Sequence, residues 1–431
     1  MEYQRDVEQA NMLFIVSAYL IVFKDSIRVV EHLFNIPFPL ATINATILLV
    51  LTGQNCFALT RRRQVTFAPC LMAAITVLQF GIVVYHILLS GSADLRDIAG
   101  VAIVQLAVPL AIISSAMRFD LLGFVIVSRH VRIISALVFL FALLEAIWAH
   151  VRPLSIAGFL MDLYHNNLVS YPLQTTVSSY YIRINGPFYS AFSMSLFLVY
   201  CIVATVSYRK FRIGSIIIIL LALFIMWMTI NRNGMLVLAF DLFALLAINL
   251  WPKVKTPSYS VMVCAIFGSL AIPFFGSFIG SAAYDNSALF KLSTLSSRVE
   301  TWRQILHGSW TDLMLGTGFV QGLGEQGVNT FMVDNFLLYT AYQAGILIAI
   351  TMMSLIIYIL YKAAGASLGG NSASGSFVIL AGGVVAFGLN IAYFEPIFQL
   401  LYLGPALSVA AGATRWRSDD NPLIVSPSSD N

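Results

Sequence analysis

The residues of this chain that could do chemistry are a small set of arginines and carboxylates set among long apolar runs. One of them, Arg232, stands in the stretch MWMTINRNGMLVLAF, between two apolar segments. An arginine at the centre of a bilayer costs at least about 2.5 kcal/mol, so its position requires an explanation. The guanidinium group is a planar fork that matches the oxygens of a phosphate bidentately. Anion recognition is therefore the chemistry that such an arginine would carry.

Further arginines and two carboxylates flank other apolar runs. They are Arg183 in YYIRINGPFYS, Arg298 and Arg303 in SSRVETWRQIL, Asp334 in VDNFLLYT, and Glu395 in YFEPIF. Arginines next to an acid or base would suit transfer chemistry on a diphosphate, because they could replace a divalent cation in stabilising the leaving group. The sequence has no DxD pair and no His/Asp cluster, and His165 and His307 are isolated. We therefore expect neither a metal ion nor another cofactor.

The composition indicates a polytopic helical membrane protein. The chain has 431 residues, of which 59% are hydrophobic and 10% charged, and its mean hydropathy is +0.85. A soluble globular chain is about 25% charged, and a membrane-spanning helix needs about 20 mostly apolar residues. No cleavable signal peptide is evident, because the polar start MEYQRDVEQA is followed by an apolar run without a small-residue cleavage site.

Twelve candidate spans account for the apolar runs. They lie near 10–27, 38–58, 66–89, 97–117, 131–150, 187–207, 213–230, 234–250, 259–279, 336–361, 375–394 and 397–413. Basic connections such as Arg61–Arg63 and Arg209–Arg212 all fall on one side if the spans alternate. By the positive-inside rule that side is cytoplasmic, as are both termini. The predicted fold is an all-α bundle of about 12 transmembrane helices, with one membrane domain over 1–413 and a disordered cytoplasmic tail over 414–431.

Two long connections, residues 151–186 and 280–335, fall on the external side, and loops of this length are usually functional. In the second loop, apolar residues at helical spacing predict an interfacial amphipathic helix with its apolar face in the membrane. They are Val299, Trp302, Ile305, Leu306 and Trp310. The glycine-rich run GTGFVQGLGEQG does not follow a strand, so it predicts a flexible loop and not a nucleotide site.

The same topology places Arg232 at the external end of a hairpin between the seventh and eighth spans. Asn233 and Gly234 suit a sharp turn there, because both tolerate positive φ. The alternative for Arg232 is an ordinary snorkelling arginine. Asp334 has an alternative as a helix N-cap for the tenth span. Glu145 and Asp241 lie within apolar spans, and we interpret both as structural polar contacts.

Five stretches, in this order, resemble motifs of the O-antigen ligase and Wzy-type polysaccharide polymerase superfamily, integral membrane glycosyltransferases of the GT-C class. RINGPF resembles the arginine–glycine–phenylalanine motif before a span, and TINRNGML resembles the serine/asparagine–arginine–glycine hairpin. SSRVETW resembles the SR-x-x-x-W segment, LGTGF the G-x-G loop, and VDNFLLYTAYQAGI the H/D-N-x-x-L segment followed by a glycine. The resemblance covers about 180–400, and the first five spans match by hydropathy alone.

The resemblance implies transfer of a glycan from undecaprenyl diphosphate to an acceptor hydroxyl, at the outer face of a bacterial inner membrane. It implies diphosphate binding by Arg183, Arg232, Arg298 and Arg303, with Asn231, Asn233, Trp302 and Asn335 as supporting residues. Asp334 would orient or deprotonate the acceptor hydroxyl, with Glu395 as the alternative base.

Three functions stay open at this point. The family's ligase branch usually has histidine where this chain has Asp334, which is compatible with a polymerase of repeat units for an exopolysaccharide, capsule or O-antigen. The second function is a ligase that moves a finished glycan to another acceptor. The third is a transporter or flippase of lipid-linked sugars, which should show polar or broken helices at the midplane. The expected partners are the lipid-linked oligosaccharide, the membrane, a chain-length regulator and a flippase, and no nucleic acid is expected.

Overall fold

The computed structural model is helical, without a strand, over the part of the chain that it describes, which confirms the predicted all-α class. It describes residues 2–23, 26–27, 40–62, 67–90, 101–118, 121–151, 184, 186–188, 191–208, 213–229, 234–235, 237–239, 242, 302, 304–306, 308–318, 335–367 and 396–408.

Helices in the first half of the chain overlap the first seven predicted spans. They are α1 (Glu2–Val22), α2 (Leu40–Arg62), α3 (Phe67–Ser90), α4 (Val108–Arg118), α5 (Leu121–Val151), α6 (Ala191–Tyr208) and α7 (Ile213–Thr229). A π-helical segment, Ile103–Ala107, leads into α4. The apolar runs set these helices, and basic residues mark their boundaries: α2 and α4 end in arginine.

The second half contributes shorter and interrupted helices. They are α8 (Trp310–Leu315), α9 (Phe336–Ala344), α10 (Ile346–Ser367) and α11 (Pro396–Phe398), which continues as a π-helical segment, Gln399–Leu403. Of the eighth predicted span, the described residues 234–235, 237–239 and 242 are helical. The ninth and eleventh predicted spans lie outside the described residues.

The tenth predicted span is not one continuous helix. Gly345, with a φ of 96°, separates α9 from α10. A positive φ ends a right-handed helix, and glycine adopts it without the steric penalty of a Cβ. Hydropathy alone does not register this break, because the residues on both sides of it are apolar.

Residues 316–318 bind to the carbonyl end of α9 at this break. The Thr317 amide donates a hydrogen bond to the carbonyl oxygen of Tyr342 at 2.8 Å, and the Gly318 amide donates to that of Gln343 at 3.0 Å. The last carbonyls of a helix lack partners inside the helix, so these bonds satisfy the end of α9. We call residues 316–318 and 342–345 together the glycine clasp. The first three residues of the glycine-rich run form a loop, as predicted, and these bonds attach that loop to α9.

The clasp requires glycine at its corners for reasons of space. A Cβ on Gly316 (φ 82°) would lie 2.7 Å from the Cα of Ala344. A Cβ on Gly345 would lie 2.5 Å from the carbonyl oxygen of Met314. Both distances are well inside ordinary van der Waals contact, so the two backbones approach this closely only because neither residue has a side chain.

Three buried glutamines join α3, the first π-helical segment and α9. The Gln79 Nε2 donates to Gln343 Oε1 at 2.7 Å, and the Gln343 Nε2 donates to Gln105 Oε1 at 3.1 Å. We call these residues the glutamine chain. Buried amides that lack partners cost about 1–3 kcal/mol each, so the chain fixes how α9 is rotated against α3. The π-helical turn around Gln105 inserts a residue into the helix, a device found frequently at functional sites.

The outer faces of the helices are apolar. On α7 the exposed residues include Ile216, Ile217, Leu220, Leu223, Phe224 and Trp227, and on α5 they include Ile133, Leu137, Leu140, Phe141, Leu144 and Ile147. Their spacing forms one stripe along each helix. Over Ile43–Thr60 and Phe67–Leu89, the described helices are long and apolar enough to cross a membrane.

We predict that Gly345→Ala destabilises the protein by about 1–3 kcal/mol, because alanine would be held at a positive φ and against a carbonyl oxygen. The matched control is Gly81→Ala in α3, where nothing lies within 4 Å of the added Cβ. That control should be neutral, or stabilising by about 0.5–1 kcal/mol. The measurement is the thermal unfolding midpoint in detergent, and equal midpoints for the two variants would contradict the clasp.

A second prediction concerns the glutamine chain. Gln343→Met should cost about 1–3 kcal/mol for each amide left without a partner, and therefore more than Gln105→Met. The triple replacement of Gln79, Gln105 and Gln343 by methionine removes all the buried amides and should recover part of the loss. Thermal unfolding in detergent measures each variant. A triple variant less stable than Gln343→Met alone would show that unpartnered amides in the glutamine chain do not cause the loss of stability.

Candidate functional site

Most of the predicted site residues lie outside the described part of the chain. They are Arg183, Arg232, Arg298, Arg303, Asp334, Glu395, Asn231 and Asn233. The structure describes Trp302 and Asn335 directly, together with neighbours of several others. The geometry of the site is therefore built from these described residues.

The segment that follows Arg183 forms a turn held from two sides. Gly186 has a φ of 60°, and its amide donates a hydrogen bond to the Glu145 Oε2 of α5 at 2.6 Å. The Ser26 hydroxyl, just beyond the end of α1, donates to the carbonyl oxygen of Pro187 at 3.1 Å. The prediction that Glu145 makes a structural polar contact is confirmed. The turn is thus held by two segments that are distant in the sequence, α5 and the residues that follow α1.

The same segment also contacts the end of α7. The amide of Ile184 donates to the carbonyl oxygen of Met228 at 3.3 Å. Ile184 follows Arg183 directly, and Met228 lies in the last turn of α7, shortly before Arg232. This bond brings together described neighbours of two arginines that lie far apart in the sequence.

Gly234 closes this arrangement against α6. A Cβ on Gly234 would lie 2.6 Å from the Cβ of Ser195, so the absence of a side chain permits the contact. Gly234 is helical and does not have a positive φ, so the turn conformation predicted for it is wrong. The glycine is needed for close approach instead. We call Ile184, residues 186–188, Glu145, Met228, Ser195 and Gly234 the motif junction.

The segment that follows Glu395 also packs on α6. α11, which begins at Pro396, contacts both α6 and α1. Further along, the Tyr402 hydroxyl donates to the carbonyl oxygen of Leu196, and the Tyr402 ring meets Tyr200 edge-on with centroids 6.0 Å apart. Gly186 lies against Met194 of α6 as well, so described neighbours of Arg183, Arg232 and Glu395 gather around that helix.

Trp302 lies in the protein core and not on a lipid-facing surface. It is 1% exposed, and Ile305 packs in the same core cluster, whereas Trp310 is 70% exposed. The bend at Gly308 separates the two environments. The prediction of one membrane-facing apolar stripe through these residues is therefore wrong for Trp302 and Ile305. The Trp302 Nε1 has no hydrogen-bond partner among the described residues.

Asn335 is the N-cap of α9. Its Oδ1 accepts a hydrogen bond from the Leu338 amide at 3.1 Å, and its side chain is fully buried. The capping role considered for Asp334 is therefore filled by the next residue. The Asn335 Nδ2 has no partner among the described residues, which is unusual for a buried donor.

Within the described residues, no group of three or more histidines, cysteines, aspartates or glutamates could hold a metal ion. No protein-family model, characterised protein or solved structure matches the chain.

We predict that Gly234→Ala displaces the chain next to Arg232 and lowers the thermal stability, because its Cβ would overlap Ser195. Ser195→Gly removes the overlapping atoms, so the double variant should be more stable than the sum of the two single changes predicts. A positive coupling of about 0.5–3 kcal/mol is expected for residues in contact. The cycle is measured by unfolding in detergent, with Gly214→Ala as the control at a glycine in open space. Simple additivity would contradict the contact.

Proposed function

We propose that the protein is embedded in a bacterial inner membrane, with about 12 spanning helices and both termini in the cytoplasm. The outward apolar stripes of α5 and α7 support this, since soluble proteins rarely expose contiguous apolar surface of that extent. The polar side chains of the glutamine chain are buried instead. The lipid interior of a bilayer offers no hydrogen-bond partners, so a protein within it exposes apolar side chains and pairs its polar groups internally.

We further propose that it is a metal-independent glycosyltransferase that polymerises undecaprenyl-diphosphate-linked repeat units at the outer face. The motif junction is the observation that carries this proposal. The Ile184–Met228 bond links the segments next to Arg183 and Arg232. Two guanidinium groups held near each other would match the two phosphates of a lipid diphosphate. The bonds at the junction join α5 and the last turn of α7, and the sequence predicts that both helices end on the external side.

In the proposed reaction an acceptor hydroxyl oxygen attacks the anomeric carbon of the donor sugar. Asp334 takes the hydroxyl proton, a new glycosidic bond forms, and the bond from the anomeric carbon to the phosphate oxygen breaks. The arginines stabilise the charge that develops on the departing lipid diphosphate. Because Asn335 caps α9, Asp334 is not required as the cap and is available for this role. Glu395 is the alternative base.

A specific observation favours transport of a lipid-linked sugar as the second candidate function. The break at Gly345 and the buried glutamine chain resemble the discontinuous helices of transporters. In those proteins the free ends of the half-helices bind the substrate. Here the glycine clasp already occupies carbonyls at the end of α9, which supports a structural role for the break. A ligase differs from a polymerase only in its acceptor.

One assay separates these functions. Purified protein in nanodiscs is incubated with the lipid-linked repeat unit of its source bacterium, without nucleotide sugars. A ladder of longer lipid-linked chains indicates a polymerase, whereas release of lipid diphosphate only in the presence of a separate acceptor indicates a ligase. The protein is also reconstituted into sealed vesicles of the same lipid composition. Movement of the lipid-linked unit across the vesicle membrane, without formation of a glycosidic bond, indicates a transporter and would contradict the proposed enzyme.

We predict that Arg232→Ala and Arg183→Ala each reduce ladder formation by roughly 10²–10³-fold, the effect of removing one preorganised charge donor. Lysine at either position should restore only part of the rate, because it lacks the bidentate fork. Arg96→Ala is the matched control, since Arg96 is also predicted to be external but lies in none of the motifs. Initial rates at saturating substrate give the comparison. Full activity in Arg232→Ala would refute its role in diphosphate binding.

A further inference from the structure

Glu145 places a carboxylate within an otherwise apolar part of α5, in the run FALLEAIW. It lies at the edge of the outward stripe, next to the exposed Leu144, while Ala142 and Ala146 on either side of it are buried. A carboxylate in such surroundings is costly unless it is hydrogen-bonded. The Gly186 amide donates a hydrogen bond to its Oε2 at 2.6 Å, which satisfies one oxygen of the carboxyl group.

The turn at Gly186 depends on bonds from outside itself. Glycine at a φ of 60° has more conformational freedom than any other residue, and Pro187 has no amide hydrogen to contribute. The turn also packs against Met194 of α6, whose Sδ would lie 3.1 Å from a Cβ on Gly186, and against Ala142 of α5, whose Cβ would lie 3.8 Å from it. Without the bond to Glu145, little on the α5 side would select the left-handed conformation of Gly186.

We propose that Glu145 is a positioning residue: its carboxylate fixes the Gly186 turn and, through it, the backbone that carries Arg183. The Oε2 of Glu145 performs this role by accepting the hydrogen bond from the Gly186 amide. Its functional consequence rests on the proposed function, in which Arg183 binds the lipid diphosphate. Glu145 acts on the substrate through the turn and makes no contact with the reacting atoms.

Two substitutions of Glu145 test whether its side chain acts as a hydrogen-bond acceptor. Glu145→Gln keeps an oxygen that can accept the amide hydrogen bond, whereas Glu145→Leu removes it while keeping the volume. Leu144→Ala is the control for a change on the exposed face of the same helix. The full chain is used for every variant, purified in nanodiscs.

The first measurement is hydrogen–deuterium exchange of peptides that cover residues 183–188, which does not depend on activity. The loss of one intramolecular hydrogen bond corresponds to roughly 2- to 10-fold faster exchange. We expect this acceleration in Glu145→Leu, and near wild-type exchange in Glu145→Gln and Leu144→Ala. The glutamine variant keeps the test decisive if the leucine variant does not fold: exchange at least about fivefold faster in Glu145→Gln would overturn the acceptor role.

The second measurement is the dissociation constant of farnesyl diphosphate, a short lipid diphosphate, for the same variants and for Arg183→Ala. Glu145→Leu and Arg183→Ala should both weaken binding, and the double variant should bind no more weakly than Arg183→Ala alone. Unchanged exchange in Glu145→Leu would overturn the positioning role. Faster exchange in Glu145→Leu, with binding unaffected by either that change or Arg183→Ala, would leave the positioning role standing and overturn the diphosphate role of Arg183.

Discussion

A buried backbone carbonyl must find a donor within the chain, and this requirement determines the geometry at the break in the second half of the protein. The break at Gly345 frees carbonyls at the end of α9, and residues 316–318 supply the missing donors. The clasp in turn requires glycine where the two backbones meet, because a Cβ on either side would overlap the other. The glutamine chain then fixes the rotation of α9 against α3. Helix α9 is therefore held at its end and along its side by polar groups, with the apolar core filling the space between.

The same requirement organises the motif junction. There the donors are backbone amides of an irregular segment, and the acceptors are a carboxylate on α5 and a carbonyl at the end of α7. Each bond joins elements that are distant in the sequence, so the bonds attach the described residues of the irregular segment to α5 and α7. The glycine clasp and the motif junction share two features. In each, a glycine allows close approach between two elements, and a backbone amide donates a hydrogen bond to an acceptor on a helix. The outward stripes of α5 and α7 are apolar, and the core between the helices is apolar as well, apart from a small set of buried polar residues.

The sequence predicts the helices well because about 20 consecutive apolar residues can be stabilised only as a helix when both core and surroundings are apolar. It does not predict the break at Gly345, since a glycine within an apolar run is compatible with a continuous helix. It marks Gly234 as a turn glycine, whereas the structure requires glycine there for close approach to Ser195. That contact depends on tertiary packing, which a single sequence does not reveal. The pairing of Gln79 with Gln343 is likewise beyond a single sequence, since it depends on the register between two helices. The arginines and acids of the candidate site stay predictions, supported by the segments next to them.

The ends of α9 also bear on how the protein would recognise an anion. A helix N-terminus with free amides is a ready anion site, and broken helices in transporters offer such ends to their substrates. In α9 the Asn335 side chain accepts the hydrogen bond from the Leu338 amide, and the clasp occupies carbonyls at the other end. The dipole ends of this helix are thus engaged by the chain itself. Under the proposed function, side chains would match the charge of the substrate, and the arginines next to the motif junction are the groups that the sequence provides for it.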